Sequence, residues 1–162
     1  MKTLLTAILA LILFGAECFA MKAMDEKSIT KVLQSVQIAK EHKNMKAMRK
    51  YFLSRASISL TDQNIDDSNT QRLNLNEYTR HLGKKWKNTQ SNLIEVQERS
   101  FSIDPNGKSA LVKTTLVQTI EINGVKTATT IYETTGLKLV KGQIYINYYS
   151  SRAMLNTALR VN

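Results

Sequence analysis

Residues 110–150 read ALVKTTLVQTIEI, NG, VKTATTIYETTGLKLV, KG and QIYINYYS. Apolar side chains recur at about every second position through the three long runs, the period of a strand with one buried face. The dipeptides between the runs are turn chemistry. Asn123-Gly124 suits a two-residue type I′ turn, in which both residues take positive φ, and Lys141-Gly142 ends the next run similarly. Working outward, Asp104-Pro105-Asn106-Gly107 divides a further alternating run from Ala110. Four long strands are therefore expected, Leu93–Ile103, Ala110–Ile122, Val125–Val140 and Gln143–Ser150, joined as an antiparallel meander. Strands of this length in a small domain are expected to twist and bend strongly.

Upstream of Asn92 the period is helical. Ser28 is the expected N-cap of a helix that carries Ile29, Val32, Leu33, Val36 and Ala39 on one face. The pattern lapses over Glu41–Asn44 and resumes with Met45, Met48 and Phe52, which predicts a second, shorter helix. Ser57–Leu60 reads as a short strand. The polar stretch Thr61–Asn74, with Asp62, Asp66 and Asp67, reads as a loop that covers whatever lies beneath it. Leu75, Tyr78, Leu82 and Trp86 make the stripe of a third helix over Leu75–Lys87, with His81, Lys84 and Lys85 mostly off it. The expected fold class is α+β, with N-terminal helices packed on a strongly bent antiparallel sheet, a cone-shaped roll.

Residues 1–20 read as an export signal. Lys2 precedes the uncharged run Leu4–Ala16, and Cys18 and Ala20 are the small residues before a cut after Ala20. Residues 21–162 then form one domain, periplasmic or secreted. The alternative is an inner-membrane anchor, although the run is shorter than the roughly 20 residues a spanning helix needs. Acylation at Cys18 is disfavoured by the acidic Glu17 beside it. Of 162 residues, 23 are Lys or Arg and 13 are Asp or Glu, for a net charge of +10. Loss of Lys2 and Glu17 together leaves that excess unchanged. Export, and the lack of a basic stripe interleaved with aromatics, argue against nucleic acid as partner. The densest cations, Lys40, Lys43, Lys46, Arg49, Lys50 and Arg55, read as a solvated helix face, or at most as weak attraction to an anionic membrane surface. A single Cys excludes a disulfide framework. No metal or cofactor is expected, because His42 and His81 fall on separate helices and no phosphate-cradling glycine loop or calcium-loop spacing occurs.

Helix, shorter helix ending in Tyr51-Phe52, short strand, loop, helix with Tyr78 and Trp86, then a meander closing on Gly142-Gln143-Ile144-Tyr145 through Ser150: this order resembles the nuclear transport factor 2-like superfamily. More narrowly it is similar to the SnoaL-like and ketosteroid-isomerase-like domains of the cystatin-like α+β type. The resemblance covers residues 28–152. It implies a cone whose open end holds a ligand, in a superfamily that also includes non-catalytic dimers and secretion-machinery subunits. Its isomerases and dehydratases rely on Asp/Glu or Asp–His pairs, and no pair in this sequence matches those residue by residue.

The turns also set strand register. Ile122 faces Val125, so Leu116 opposes Ile131 and Thr114 opposes Glu133. Val140 faces Gln143, so Leu137 opposes Ile146 and Glu133 opposes Ser150. Without a bulge, Val112, Leu116, Ile131, Leu137, Ile144, Ile146 and Tyr148 share the helix-covered face, and Glu133 and Gln118 interrupt it. A carboxylate there is either desolvated or paired with a cation. Glu133 is thus the candidate general acid/base or ligand anchor, with Tyr78, Trp86 and Tyr148 as walls of a ligand pocket. The bland alternative is a structural carboxylate satisfied by neighbouring hydroxyls, or one turned outward by a bulge. The other face carries Tyr132, Tyr145 and Tyr149 among Thr and Lys, either solvated or a homodimer surface. The function expected first is a non-enzymatic exported domain binding a small apolar ligand or a protein partner. The alternatives are a small acid/base enzyme of isomerase or dehydratase type using Glu133, and a membrane-anchored envelope assembly subunit.

Overall fold

The structure is a computed structural model and describes residues 21–64 and 67–155. The expected signal, residues 1–20, lies outside the described residues, as does Asp66. Helix α1 (Glu26–Glu41) starts from Asp25, not Ser28. Asp25 is the N-cap and accepts from the Ser28 amide at 2.7 Å, while the Ser28 hydroxyl accepts from the Asp25 amide at 3.0 Å. Ser28 thus sits at the third position of a capping box, which satisfies two amides that the helix itself leaves open. The lapse at Glu41–Asn44 is a real break. Lys43 takes a φ of 54°, and Asn44 caps the short α2 (Met45–Arg49). Helix α3 spans Leu75–Lys87, capped by Asn74 and Glu77, and buries Leu75, Tyr78 and Trp86.

The meander forms as β3 (Ser91–Ile103), β4 (Ser109–Ile122), β5 (Val125–Val140) and β6 (Gln143–Leu155). Asn123 and Lys141 take positive φ at the turns, as the two-residue loops require. The segment before α3 departs from the sequence reading. A 13-residue strand β1 (Phe52–Asn64) replaces the short one, and it forms a hairpin with β2 (Asp67–Leu73) in place of the expected loop. Thr61 and Thr70 meet across that hairpin at 3.0 Å. Its polar sequence is that of an edge, where side chains need little apolar cover.

The sheet order is β2-β1-β6-β5-β4-β3, with β1 parallel to β6 and every other pair antiparallel. A cone-shaped antiparallel roll is therefore not what forms. The sheet is mixed and open, without strong curl, and β2 and β3 are opposite edges that do not pair with each other. The β1–β2 hairpin widens the sheet to six strands, so the three helices laid on one face close the core without the sheet having to close on itself. Ile29, Met48, Ile58, Val112, Leu137 and Ile146 are almost fully buried between the layers. Each such side chain contributes on the order of 1.5–3 kcal/mol of apolar burial. A smaller cluster of Ile94, Leu116 and Ile131 lies under the far end of the same face.

One register shift decides what faces the core. Leu137 opposes Ile146 as the turn dictates, but Gly136 opposes Tyr148, so β6 carries an extra residue there. A Cβ on Gly136 would stand 3.0 Å from the Tyr148 Cβ, a tight contact that the glycine relieves at this crossing. Beyond the bulge every β6 side chain changes face. Tyr149 turns into the core at 4% exposure, Tyr148 turns outward at 37%, and Glu133 opposes Ser151 rather than Ser150.

Candidate functional site

Lys40 belongs to the buried stripe of α1. Ile29, Leu33, Val36 and Lys40 follow one another at helical spacing, and all are buried. The C-terminal turn of α1 is tied to β3, which holds Lys40 over the sheet. Asn92 Nδ2 donates to the Lys40 carbonyl at 3.0 Å, Gln37 Nε2 donates to the Ile94 carbonyl at 2.9 Å, and the Ile94 amide donates to Glu41 at 3.0 Å. Gln118, the polar interruption on β4, points inward and donates to Asn92 at 2.6 Å. Tyr78 is placed by α3, which Arg49 ties to α2 through Thr79 at 3.1 Å and Asn76 at 2.8 Å.

These elements bring four polar side chains together. Lys40 Nζ lies 3.0 Å from Glu133 Oε1 and donates to the Tyr149 hydroxyl at 2.9 Å. The Tyr149 hydroxyl donates in turn to the same Glu133 Oε1. The ammonium also sits 4.5 Å from the centre of the Tyr149 ring, within cation–π range. Tyr78 packs against Tyr149 with ring centres 5.6 Å apart, and Phe52 stands edge-on to Tyr149 at 6.3 Å. Arg99 approaches Glu133 from the other side, across a space of about 30 Å³ shared with Thr114 and Thr135.

Burial and neighbouring charge shift the lysine and the two tyrosines. Burial alone disfavours the Lys40 ammonium, but the Glu133 carboxylate and the two tyrosines outweigh it and raise its pKa well above the ordinary lysine value. Burial, reinforced by the Glu133 carboxylate, pushes the Tyr149 hydroxyl well above the usual tyrosine range, and burial pushes Tyr78 up as well. Lys40 thus meets Glu133 as an ion-pair partner, beside two phenols whose ionisation is disfavoured. Burial lowers the Arg99 guanidinium somewhat, with Glu133 opposing.

A cavity of about 80 Å³ opens beside the cluster. Lys40, Tyr78, Glu133 and Tyr149 form its polar end, and Leu82, Trp86, Ile94, Leu116 and Ile131 its apolar walls. The exposed Asp62 and Lys85 and the half-buried His81 stand where it meets solvent. Of the residues selected from sequence, Tyr78, Trp86 and Glu133 therefore meet around one cavity. Tyr148 does not; it lies on the opposite sheet face, and its neighbour Tyr149 holds the place assigned to it. Lys40, read from sequence as one of a run of solvated cations, is the buried partner of Glu133. Its place on the α1 stripe was the signal, and the Tyr148-Tyr149 doublet opposite Gly136 was the signal for the bulge. Among the described residues no group of three or more His, Cys, Asp or Glu is arranged to hold a metal ion. Nor is any described helix long and apolar enough to cross a membrane.

No family model matches the sequence, and no curated protein aligns with it. Solved structures do match the fold. LinA superimposes with a TM-score of 0.68 at 9% identity, over 84% of this chain and 90% of that one. The chain has a nuclear transport factor 2-like fold. A proposed scytalone dehydratase from Novosphingobium aromaticivorans matches with a TM-score of 0.64 at 11% identity, over 84% of this chain and 88% of its own. A nuclear transport factor 2-like protein from Pseudomonas putida matches at 0.62 with 13% identity, over 83% and 92%. At such identities the likeness is one of fold, and this chain shares that fold with proteins named as enzymes and with proteins of no stated activity.

Proposed function

We propose that the protein is an exported acid/base enzyme of isomerase or dehydratase type, acting on a small substrate with an apolar body. The observation that carries this is the convergence of Lys40, Glu133 and Tyr149 at the polar end of an apolar-walled cavity. A base that removes a proton from carbon needs a carboxylate shielded from water yet kept ionised, and Lys40 supplies the compensating charge. Glu133 Oε2, which neither the Lys40 nor the Tyr149 bond uses, takes the proton from a carbon next to a carbonyl. Tyr78, whose ring packs 5.6 Å from that of Tyr149 at the polar end of the cavity, donates its phenol proton in a hydrogen bond to the oxygen on which charge develops. In an isomerisation Glu133 returns the proton to another carbon. In a dehydration it passes the proton to the departing hydroxyl, which leaves as water. About 80 Å³ admits the reacting end of a substrate, while the remainder lies between Trp86 and the Asp62–His81–Lys85 rim. Names of structures sharing the fold, such as that of the proposed scytalone dehydratase, support the class. The features of residues 1–20 support export.

The second reading is a non-catalytic ligand-binding domain. It is favoured by one feature: Lys40 and Tyr149 both bind Oε1, so the buried carboxylate is already satisfied inside the protein, as a structural ion pair would be. Proton–deuterium exchange distinguishes the two. A panel of small cyclic ketones and β-hydroxy ketones in heavy water is expected to contain one whose α-carbon exchanges with the protein present. Glu133→Gln should slow that exchange by about 100-fold or more while Tyr148→Phe leaves it unchanged. A panel with no exchange above background, or a folded Glu133→Gln protein of full rate, leaves the ligand-binding reading.

A further inference from the structure

Six exposed lysines from distant parts of the chain collect at one pole of the molecule. The segment Met21–Met24 lies along the Asp104–Lys108 turn, where the Met24 amide donates to the Gly107 carbonyl at 2.8 Å and Lys108 Nζ donates to the Lys22 carbonyl at 2.5 Å. Beside that segment, Lys27 and Lys31 of α1 face Lys50 across an open groove of about 590 Å³. Its floor is Val32, Tyr51, Ile144 and Tyr145, and Lys141 stands at the adjoining β5–β6 turn next to Gly142. Lys22, Lys27, Lys31, Lys50, Lys108 and Lys141 are all exposed. Asp25, which caps α1 and lines the groove, and Asp104, which accepts from the Ser109 hydroxyl at 2.5 Å, are carboxylates that offset two of the six cations.

We propose that this pole docks on an anionic bilayer surface, the groove receiving phosphate-bearing lipid headgroups between Lys27, Lys31 and Lys50. Charge complementarity carries the choice of partner. Lysines gathered within a Debye length of a negative membrane each strengthen binding by roughly 5-fold, and no single stretch of the sequence supplies them. The half-buried Tyr51 and Tyr145 at the groove are residue types that settle at the headgroup level. A basic patch alone gives reversible, salt-sensitive attachment, which is the mode of binding expected of this pole. The proposal is independent of the chemistry assigned to Glu133, which belongs to a separate cavity.

The test is co-sedimentation of residues 21–162, the chain after the expected cut, with vesicles of phosphatidylcholine alone and of phosphatidylcholine containing about one third phosphatidylglycerol. Binding is expected to be at least about 10-fold stronger on the anionic vesicles and to fall steeply with salt. The triple variant Lys27→Glu, Lys31→Glu, Lys50→Glu should abolish that gain. The triple variant Lys84→Glu, Lys85→Glu, Lys87→Glu on α3, with the same change in net charge, should retain it. Equal binding to both vesicle types overturns the proposal. So does an equal loss in the two triple variants, which would show net charge to be acting and not this pole.

Discussion

The Nζ of Lys40 rests 3.0 Å from Oε1 of Glu133, with the two side chains only 11% and 15% exposed, and the Tyr149 hydroxyl touches both. The two residues are 93 positions apart, one at the end of the first helix and the other in the middle of the longest strand. Neither charge is in water, so each depends on the other.

That dependence is measurable in a double-mutant cycle. Lys40→Met leaves a buried carboxylate without its cation and is expected to cost about 3 kcal/mol of stability. Glu133→Gln alone should cost a similar amount. The double variant should be clearly more stable than the sum of the two losses, because it removes both charges. Urea midpoints of the four proteins check this, and additive losses would mean that the pair is not coupled.

Stability should also fall at alkaline pH. Lys40, Tyr149 and Tyr78 all have folded-state pKa values raised above their unfolded values. Above about pH 10 the unfolded chain releases these protons while the folded chain still holds them, so stability declines as pH rises through that window. Lys40 contributes its full stabilisation below the unfolded lysine value and loses it as pH climbs through the folded one. Urea midpoints between pH 8 and pH 11 test the sign. In an ultraviolet titration, phenolate formation at two of the six tyrosines should lag until the fold opens.

Tyr148 and Tyr149 differ only in face, so the same substitution should separate them. Tyr149→Phe removes a donor from a buried carboxylate and is expected to cost about 1–3 kcal/mol. Tyr148→Phe acts on an exposed side chain and should stay within about 0.5 kcal/mol. Thermal unfolding of the two variants decides, and equal losses would mean that the bulge at Gly136 is misplaced.

Gly107 holds the start of the domain. Its φ is +64°, and an added Cβ would lie 2.5 Å from the Ala23 Cβ, a distance no packing tolerates. Gly107→Ala should therefore cost about 1–3 kcal/mol and detach Met21–Met24 from the turn. Limited proteolysis should then cut near Lys22 faster than in the parent protein. Unchanged cleavage would show that the segment is not held there.

Much of this architecture was legible before any coordinates. The 3.6-residue period placed α1, α2 and α3, and the bounds expected for α3 and β5 are those observed. The turn dipeptides placed Thr114 opposite Glu133 and Leu116 opposite Ile131 correctly. These are local properties. Periodicity records which side of an element is buried, and a two-residue turn counts residues back from itself. The capping of α1 was missed by three residues because Asp25 and Ser28 are both good cap residues, and the choice between them depends on where Met24 packs. The sequence reading of β1 as Ser57–Leu60 is too short, and β2 reads as a loop, because the polar outer part of the hairpin shows little alternation. The pairing of β1 with β6, and of β2 with β1, widened the sheet and left it open, which no single segment encodes.

By itself the sequence determined the three helices, the four-strand meander with most of its registers and the presence of a carboxylate on a buried face, since these follow from side-chain period and turn geometry. Tertiary structure alone decided that Tyr149 and not Tyr148 faces the core, because one bulge reverses a whole strand. It alone decided that Lys40 completes the site, because a lysine on an apolar stripe is stable only where the fold brings an opposite charge to it.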